Sequence, residues 1–238
     1  GSFADLYYES SRSHSVVCDD DKIEMVSSGS DVGLGLRVIA DFRTSYAYSN
    51  VVSETEILSL AADLAETVKA GAPGISAKEY SLAPPADLSV SIATNRVDTA
   101  KKTALVREAN VAARSVDGRI RQVKVVYSDK DQGLAIANSD GLLVEEHRTH
   151  SFLAVQVVAA ENGLVQTGYE AVGGLVGFEL FNGVSAADVG QTAARRALQA
   201  VQAREAPRGV MPVILTSEAG GTMIHEAVGH GLEADLAF

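Results

Sequence analysis

From Phe3 to Val52 the chain runs in short β-rich stretches, LYYESSRSHSVVC, KIEMVSS, VGLGLRVIADF and TSYAYSNVV, punctuated by Gly, Ser and Asp. Alternation of apolar and polar positions sends successive side chains to opposite faces of a strand, so these stretches predict antiparallel strands. At Ser53 the period changes. Ser53-x-x-Glu56 is a capping box, and Ile57, Leu60, Ala61, Leu64 and Val68 follow at steps of three and four, which predicts a helix lying on a sheet. The proline-bearing stretch Gly71 to Ser89 reads as a linker.

A second helix is predicted over 95–117, with Ala104, Leu105, Ala109, Ala112 and Val116 facing inward. The runs RQVKVVYSD, GLAIANSDGLLVEE and SFLAVQVVAAENGLVQTGYEAV then predict a meander, because Asp140-Gly141 and Asn162-Gly163 supply the positive φ angles of tight hairpins. Ser185 and Asp188 cap a third helix carrying Val189, Ala193, Ala197, Leu198 and Val201. GVMPVILTSEAGG predicts a buried strand and a turn. Strands grouped with helices in this way predict an α+β fold, with layered, mainly antiparallel sheets and amphipathic helices packed on one face. Three regions are expected: an α+β subdomain at 1–78, a second at 79–208, and the start of a further domain at 209–238.

Composition is that of an ordinary globular chain, with 46% hydrophobic and 21% charged residues. The formal net charge of -11 repels phosphate backbones and anionic headgroups, so direct nucleic-acid or membrane binding is not expected. No apolar run approaches a membrane span. Cys18 is the single cysteine, which precludes an intrachain disulfide and fits a reducing, cytoplasmic setting. Its place beside Val16 and Val17 predicts a buried structural thiol.

The strongest chemical signal is GGTMIHEAVGHGLEADLAF, from Gly220 to Phe238. His225 and His230 can supply two lone-pair donors to a zinc ion, and Glu226 a carboxylate that takes a proton from water. In the shorter H-E-x-x-H arrangement the histidines lie about 40° apart around a regular helix; here the extra residue would put them about 140° apart. A π-type turn, closing from i to i+5, returns both rings to one face, and Gly229 and Gly231 lower the preference for a regular helix. Glu233, three residues after His230, is either a substitute third ligand or an ordinary surface or structural acid, and Asp235 is a weaker candidate.

The string HEAVGHGLEAD resembles the H-E-x-x-x-H segment of the TldD/PmbA family of metallopeptidases, in particular its TldD-type, metal-bearing subunit. MPVILTSEAGGTMI, FADLYYESSRSHS, VGLGLRVIADFRTSYAYSN and GYEAVGGLVGFELF are similar to family segments in the same order. The resemblance implies that His225 and His230 are zinc ligands, that Glu226 is the catalytic glutamate, and that a cysteine beyond Phe238 is the third ligand. It further implies a zinc-dependent peptidase acting on unfolded or flexible peptides and paired with a PmbA-type paralogous subunit or a second copy. This chain would then be an N-terminal fragment, inactive alone and with partial disorder near its end. A different reading makes it a non-catalytic peptide-binding or subunit-assembly module. The family's older association with DNA gyrase sits poorly with the acidic charge.

Other features carry less. His147 and His150, three apart on a strand, point to opposite faces and do not form a metal pair. Gly29, Gly33 and Gly35 lack the spacing of a nucleotide loop and suit close backbone approach. GGLVGF, residues 173–178, is either a bent strand end or a place for strand addition.

Overall fold

The alternating N-terminal runs form three antiparallel strands in the computed structural model, which describes residues 1–68, 74–84, 88–234 and 236. They are β1 (Phe3–Asp19), β2 (Lys22–Ala40) and β3 (Arg43–Ser49). KIEMVSS and VGLGLRVIADF are not separate strands. Gly29, Ser30 and Asp31 stay paired with Ser13, Arg12 and Ser11, so β2 crosses the gap without a break. Both hairpins turn through consecutive left-handed residues, Asp20 and Asp21 at φ 49° and 71°, then Asp41 and Phe42 at φ 50° and 60°.

α1 (Glu54–Thr67) starts at the expected N-cap Ser53, whose Oγ accepts from Glu56 N–H at 3.2 Å. Leu64 is its buried anchor, and Thr67 Oγ1 donates to Ser45 Oγ on β3. In the linker, β4 (Ser81–Leu82) adds a short parallel strand beside Leu142 and Leu143.

The second helix is shorter than expected: α2 spans Thr99–Arg114, after a separate 3₁₀ turn at Thr94–Arg96. Of the expected inward residues Ala109 is buried and Leu105 and Val116 pack against the core, but the buried face also takes in residues outside that stripe. Lys102, Val106, Ala109, Asn110 and Ala113 point inward, while Ala104 is exposed. Lys102 and Asn110 are polar and so carry no apolar-spacing signal; each is buried because it finds a carboxylate, Asp129 and Asp21 respectively.

The meander follows as β5 (Ile120–Asn138), β6 (Leu142–Glu161) and β7 (Leu164–Gly174), with Gly141 at φ 89° and Asn162 and Gly163 at φ 49° and 81° in its turns. GGLVGF bends away from β7 after Gly174, and Phe178 turns inward to pack on Tyr127 and Phe181. Glu179 fixes the bend by accepting from the Ser91, Ile92 and Gly177 N–H groups. α3 (Leu180–Gly183) leads into α4 (Ala186–Val201), whose N-cap Ser185 accepts from Asp188 N–H.

Among the described residues, β1 to β7 lie in one sheet, in the order β3-β2-β1-β5-β6-β4 with β7 also on β6. Every pairing except β4–β6 is antiparallel. Register places the helices on a common face. Ser45, which holds α1, aligns through Val38 with Ala4; His14, against Thr99 of α2, is on the same side of β1; Val157 and Gly168, beneath α4, align through Val125 and Cys18 with that side too. Between α2, α4 and the sheet lies the core, built from Val16, Cys18, Val125, Tyr127, Leu153, Val155 and small helix residues such as Ala109 and Ala193. On the opposite face Tyr46 and Tyr48 stack with centroids 6.1 Å apart and stay exposed.

The chain divides by compactness into Gly1–Ala203 and Arg204–Phe238. β1 pairs with β5 from Asp5 to Asp19, so strands from 1–78 and from 79–208 share one sheet. Among the described residues no helix is long and apolar enough to cross a membrane.

In the second unit the expected buried strand is absent. Residues 211–216 form no strand and are exposed, because no neighbouring strand takes up their backbone groups among the described residues. α5 (Ser217–Ile224) begins at once and leads into the histidine segment. The expected disorder at the chain's end falls in part on Asp235, Ala237 and Phe238, which lie outside the described residues.

Candidate metal centre

α5 opens at Thr216, whose side chain makes no cap bond; Gly220 N–H closes the first turn on the Thr216 carbonyl at 2.7 Å. At His225 the helix widens. Residues His225–Gly229 form a π turn, and His230 N–H donates to the His225 carbonyl, the i to i+5 closure that the long spacing requires. The backbone stays in the right-handed region throughout, with His225 at φ -57°, ψ -52° and His230 at φ -63°, ψ -32°. The turn is therefore an extra residue absorbed by the helix and not a break in it.

The consequence is convergence of side chains. The His225 and His230 rings meet edge to face, with centroids 4.7 Å apart and planes at 76°. His230 Nε2 lies 3.4 Å from Glu226 Oε2, and the three candidate ligand atoms of His225, Glu226 and His230 fall within 4.8 Å of one another. Among the described residues this is the group of histidine, cysteine and acidic side chains close enough to share an ion. All three are exposed. Gly229 lies against the His225 ring, where an added Cβ would sit 3.5 Å from Nδ1, whereas nothing lies within 4 Å of a Cβ at Gly231. Neither glycine is demanded by space; both ease the wide turn through their low preference for a regular helix.

His230 is followed by a 3₁₀ turn, His230–Leu232, and its Nδ1 lies 2.5 Å from Glu233 Oε1. The residue read as a candidate extra ligand thus occupies the far side of the ring from Glu226. Asp235 lies outside the described residues.

The donor set fits part of a zinc site. Two imidazoles and a carboxylate on one turn are the residue types that zinc takes, and a typical catalytic site uses three protein ligands and an open position. Cys18 is no candidate for a third: it is 1% exposed in the core, and burial pushes its thiol pKa up, against the thiolate form that binds metal. His147 Nε2 lies 2.7 Å from Asp131 Oδ1, and the β6 alternation turns His150 to the other face.

Comparison with known proteins extends the picture beyond this segment. Residues 4–72 match a model described as PmbA/TldA metallopeptidase domain 1, and residues 93–201 match the PmbA/TldA metallopeptidase central domain. A metalloprotease TldD homolog of Haemophilus influenzae is 32% identical over 98% of this chain and 50% of its own length. A metalloprotease of Methanothermobacter thermautotrophicus is 31% identical over 98% of this chain and 51% of its own. A more distant relative from Saccharolobus solfataricus, 24% identical over 99% of this chain and 51% of its own, is named a zinc metalloprotease TldD homolog.

Crystal structures from other organisms share the fold. A Thermotoga maritima protein, described as a proposed modulator of a DNA gyrase, superposes with TM-score 0.69 at 18% identity, covering 87% of this chain and 46% of that one. TldE of Thermococcus kodakarensis gives 0.61 at 14%, covering 82% and 44%. The chain spans about half the length of the curated relatives it matches. With two domain models of one family matched in sequence order and relatives aligned along nearly its whole length, the chain belongs to the PmbA/TldD metallopeptidase family.

Proposed function

We propose that the intact protein is a zinc-dependent peptidase in which His225 and His230 hold the metal and Glu226 is the general base and acid. The observation that carries this reading is the convergence of two imidazoles and one carboxylate within 4.8 Å on a π turn, in a chain of a metallopeptidase family. A zinc ion held there would supply Lewis-acid polarisation of a peptide carbonyl and a more acidic water. Glu226 Oε2, 3.4 Å from His230 Nε2, is placed to take a proton from an attacking water and to return it to the leaving amine. His225 and His230 contribute by position, and the exposure of the turn leaves room for a flexible or unfolded peptide.

Two histidines are fewer than the three protein ligands of a typical catalytic zinc site. The third, by family resemblance a cysteine, would come from sequence outside this chain, so the chain by itself would bind zinc weakly and be inactive. A cytoplasmic setting and assembly with a PmbA-type paralogous subunit, or with a second copy, belong to the same proposal. The name zinc metalloprotease for a relative and the shared fold of TldE support it.

The test is zinc content and peptide cleavage by the intact protein, with and without its paralogous subunit. Glu226→Gln is expected to keep zinc and lose about 10²–10⁴-fold in turnover. Unchanged turnover would remove Glu226 from the mechanism. A protein that carries no zinc and cleaves no peptide, yet holds its partner, would favour the assembly module.

A further inference from the structure

We propose that Glu233 is a positioning residue: it holds His230 as the Nδ1–H tautomer, so that Nε2 is the nitrogen offered to the metal. The inference rests on the metal-site reading above and adds the atom by which His230 acts and the group that fixes it.

The two nitrogens of His230 face different partners. Nδ1 lies 2.5 Å from Glu233 Oε1, and Nε2 lies 3.4 Å from Glu226 Oε2 inside the three-residue cluster. An ionised carboxylate only accepts, so a hydrogen bond to Glu233 requires the proton on Nδ1. A neutral ring with its proton there has its lone pair on Nε2, aimed at the cluster. This is the arrangement in which a ligating histidine gives its other N–H to a carboxylate, which fixes both tautomer and ring orientation.

The backbone supplies the geometry through a change of helix type at His230. The π turn before it brings the ring to His225; the 3₁₀ turn after it eclipses residues three apart and so brings the Glu233 carboxylate to the Nδ1 edge of the same ring. Glu233 N–H donates to the His230 carbonyl at 3.3 Å, and Glu233 then leaves the helix in an extended conformation at φ -64°, ψ 142°. Ligation by Glu233 is disfavoured by the same contact. Its oxygen sits on the Nδ1 side, and one ion cannot face both nitrogens of a single imidazole.

The side chains of His230 and Glu233 are 49% and 51% exposed, so the bond competes with water and adds little to folding. Its effect is expected on metal affinity, where loss of such an outer carboxylate weakens binding about 10–100-fold.

The experiment has two readouts on the intact protein. Nitrogen NMR of the neutral His230 ring reports the tautomer without metal, and competition with a chromophoric chelator reports zinc affinity. Variants are Glu233→Ala, Glu233→Gln, whose carbonyl oxygen can still accept from Nδ1–H, and His225→Ala with His230→Ala as the metal-site control; circular dichroism verifies folding. The parent is expected to show Nδ1–H. Glu233→Ala is expected to lose that preference and about 10–100-fold in zinc affinity, with Glu233→Gln in between. A parent ring protonated at Nε2, or Glu233→Ala binding zinc like the parent while the double histidine variant does not, would overturn the role of Glu233 and leave the metal site standing. Zinc binding unaffected by the double histidine variant would instead overturn the metal-site reading, while the tautomer measurement still judges Glu233.

Discussion

Lys102 Nζ donates to Asp129 Oδ2 at 2.7 Å, with the two side chains only 4% and 5% exposed. The pair joins α2 to β5 at the edge of the core, and each charge is tolerated because the other is present. Lys102→Met leaves Asp129 buried without a counter-charge and is expected to destabilise by about 3–5 kcal/mol. Adding Asp129→Leu should recover most of that loss, since replacing both partners of a buried pair with apolar residues is commonly close to neutral. Urea unfolding of the single and double variants measures both.

His14 sits beside that pair, with Nε2 3.3 Å from Thr99 Oγ1 and Nδ1 3.9 Å from Asp129 Oδ2. Burial and then the Lys102 charge push its pKa below the ordinary value of 6.5, against the pull of Asp129. Below that value the unfolded chain takes up a proton that the folded ring resists, so stability contributed by neutral His14 is present above pH 6.5 and falls as the pH drops beneath it. Melting temperatures across this range should therefore decline less for His14→Gln than for the parent.

Asp117 and Arg119 form a surface clasp at the start of β5, with Asp117 accepting from Arg119 N, Nε and Nη2 while Arg119 Nη1 reaches Glu161. The guanidinium holds the Asp117 carboxyl down from 3.8 to about 2. A depressed carboxylate contributes above its unfolded pKa and loses that contribution as the pH falls through the folded one. Carboxyl NMR should place the Asp117 midpoint near 2, returning towards 3.8 in Arg119→Gln.

Gly190 of α4 meets α2 at Ala109, where an added Cβ would come within 2.3 Å of the Ala109 carbonyl oxygen. The obstacle is backbone, so the helices must separate to admit a methyl. Gly190→Ala is expected to destabilise by about 1–3 kcal/mol by thermal or urea unfolding, although alanine is the better helix former.

Local chemistry was readable where one residue decides the outcome. Ser53 and Ser185 cap α1 and α4, Asn162-Gly163 turns the last hairpin, and the spacing from His225 to His230 calls for the π turn that is present. What escaped depends on partners distant in sequence. The burial of Lys102 on the inward side of α2 depends on its meeting Asp129, which no pattern of apolar residues within the helix can announce. β2 runs unbroken through Gly29 to Asp31 because β1 pairs with it there, and residues 211–216, apolar enough for a strand, have no partner among the described residues. At the candidate site the sequence places Glu233 near His230, but only the 3₁₀ turn decides which ring nitrogen it touches.

In the proposed zinc site, the wide turn between His225 and His230 makes metal binding depend on chain length. Excising Val228 would leave His-Glu-Ala-Gly-His, four residues apart, a separation at which a regular α-helix brings both rings within about 40° of each other. Inserting one alanine at the same place would send the second ring roughly 240° around a regular helix. Zinc uptake should thus survive the shortening better than the lengthening, an asymmetry between two equally small edits.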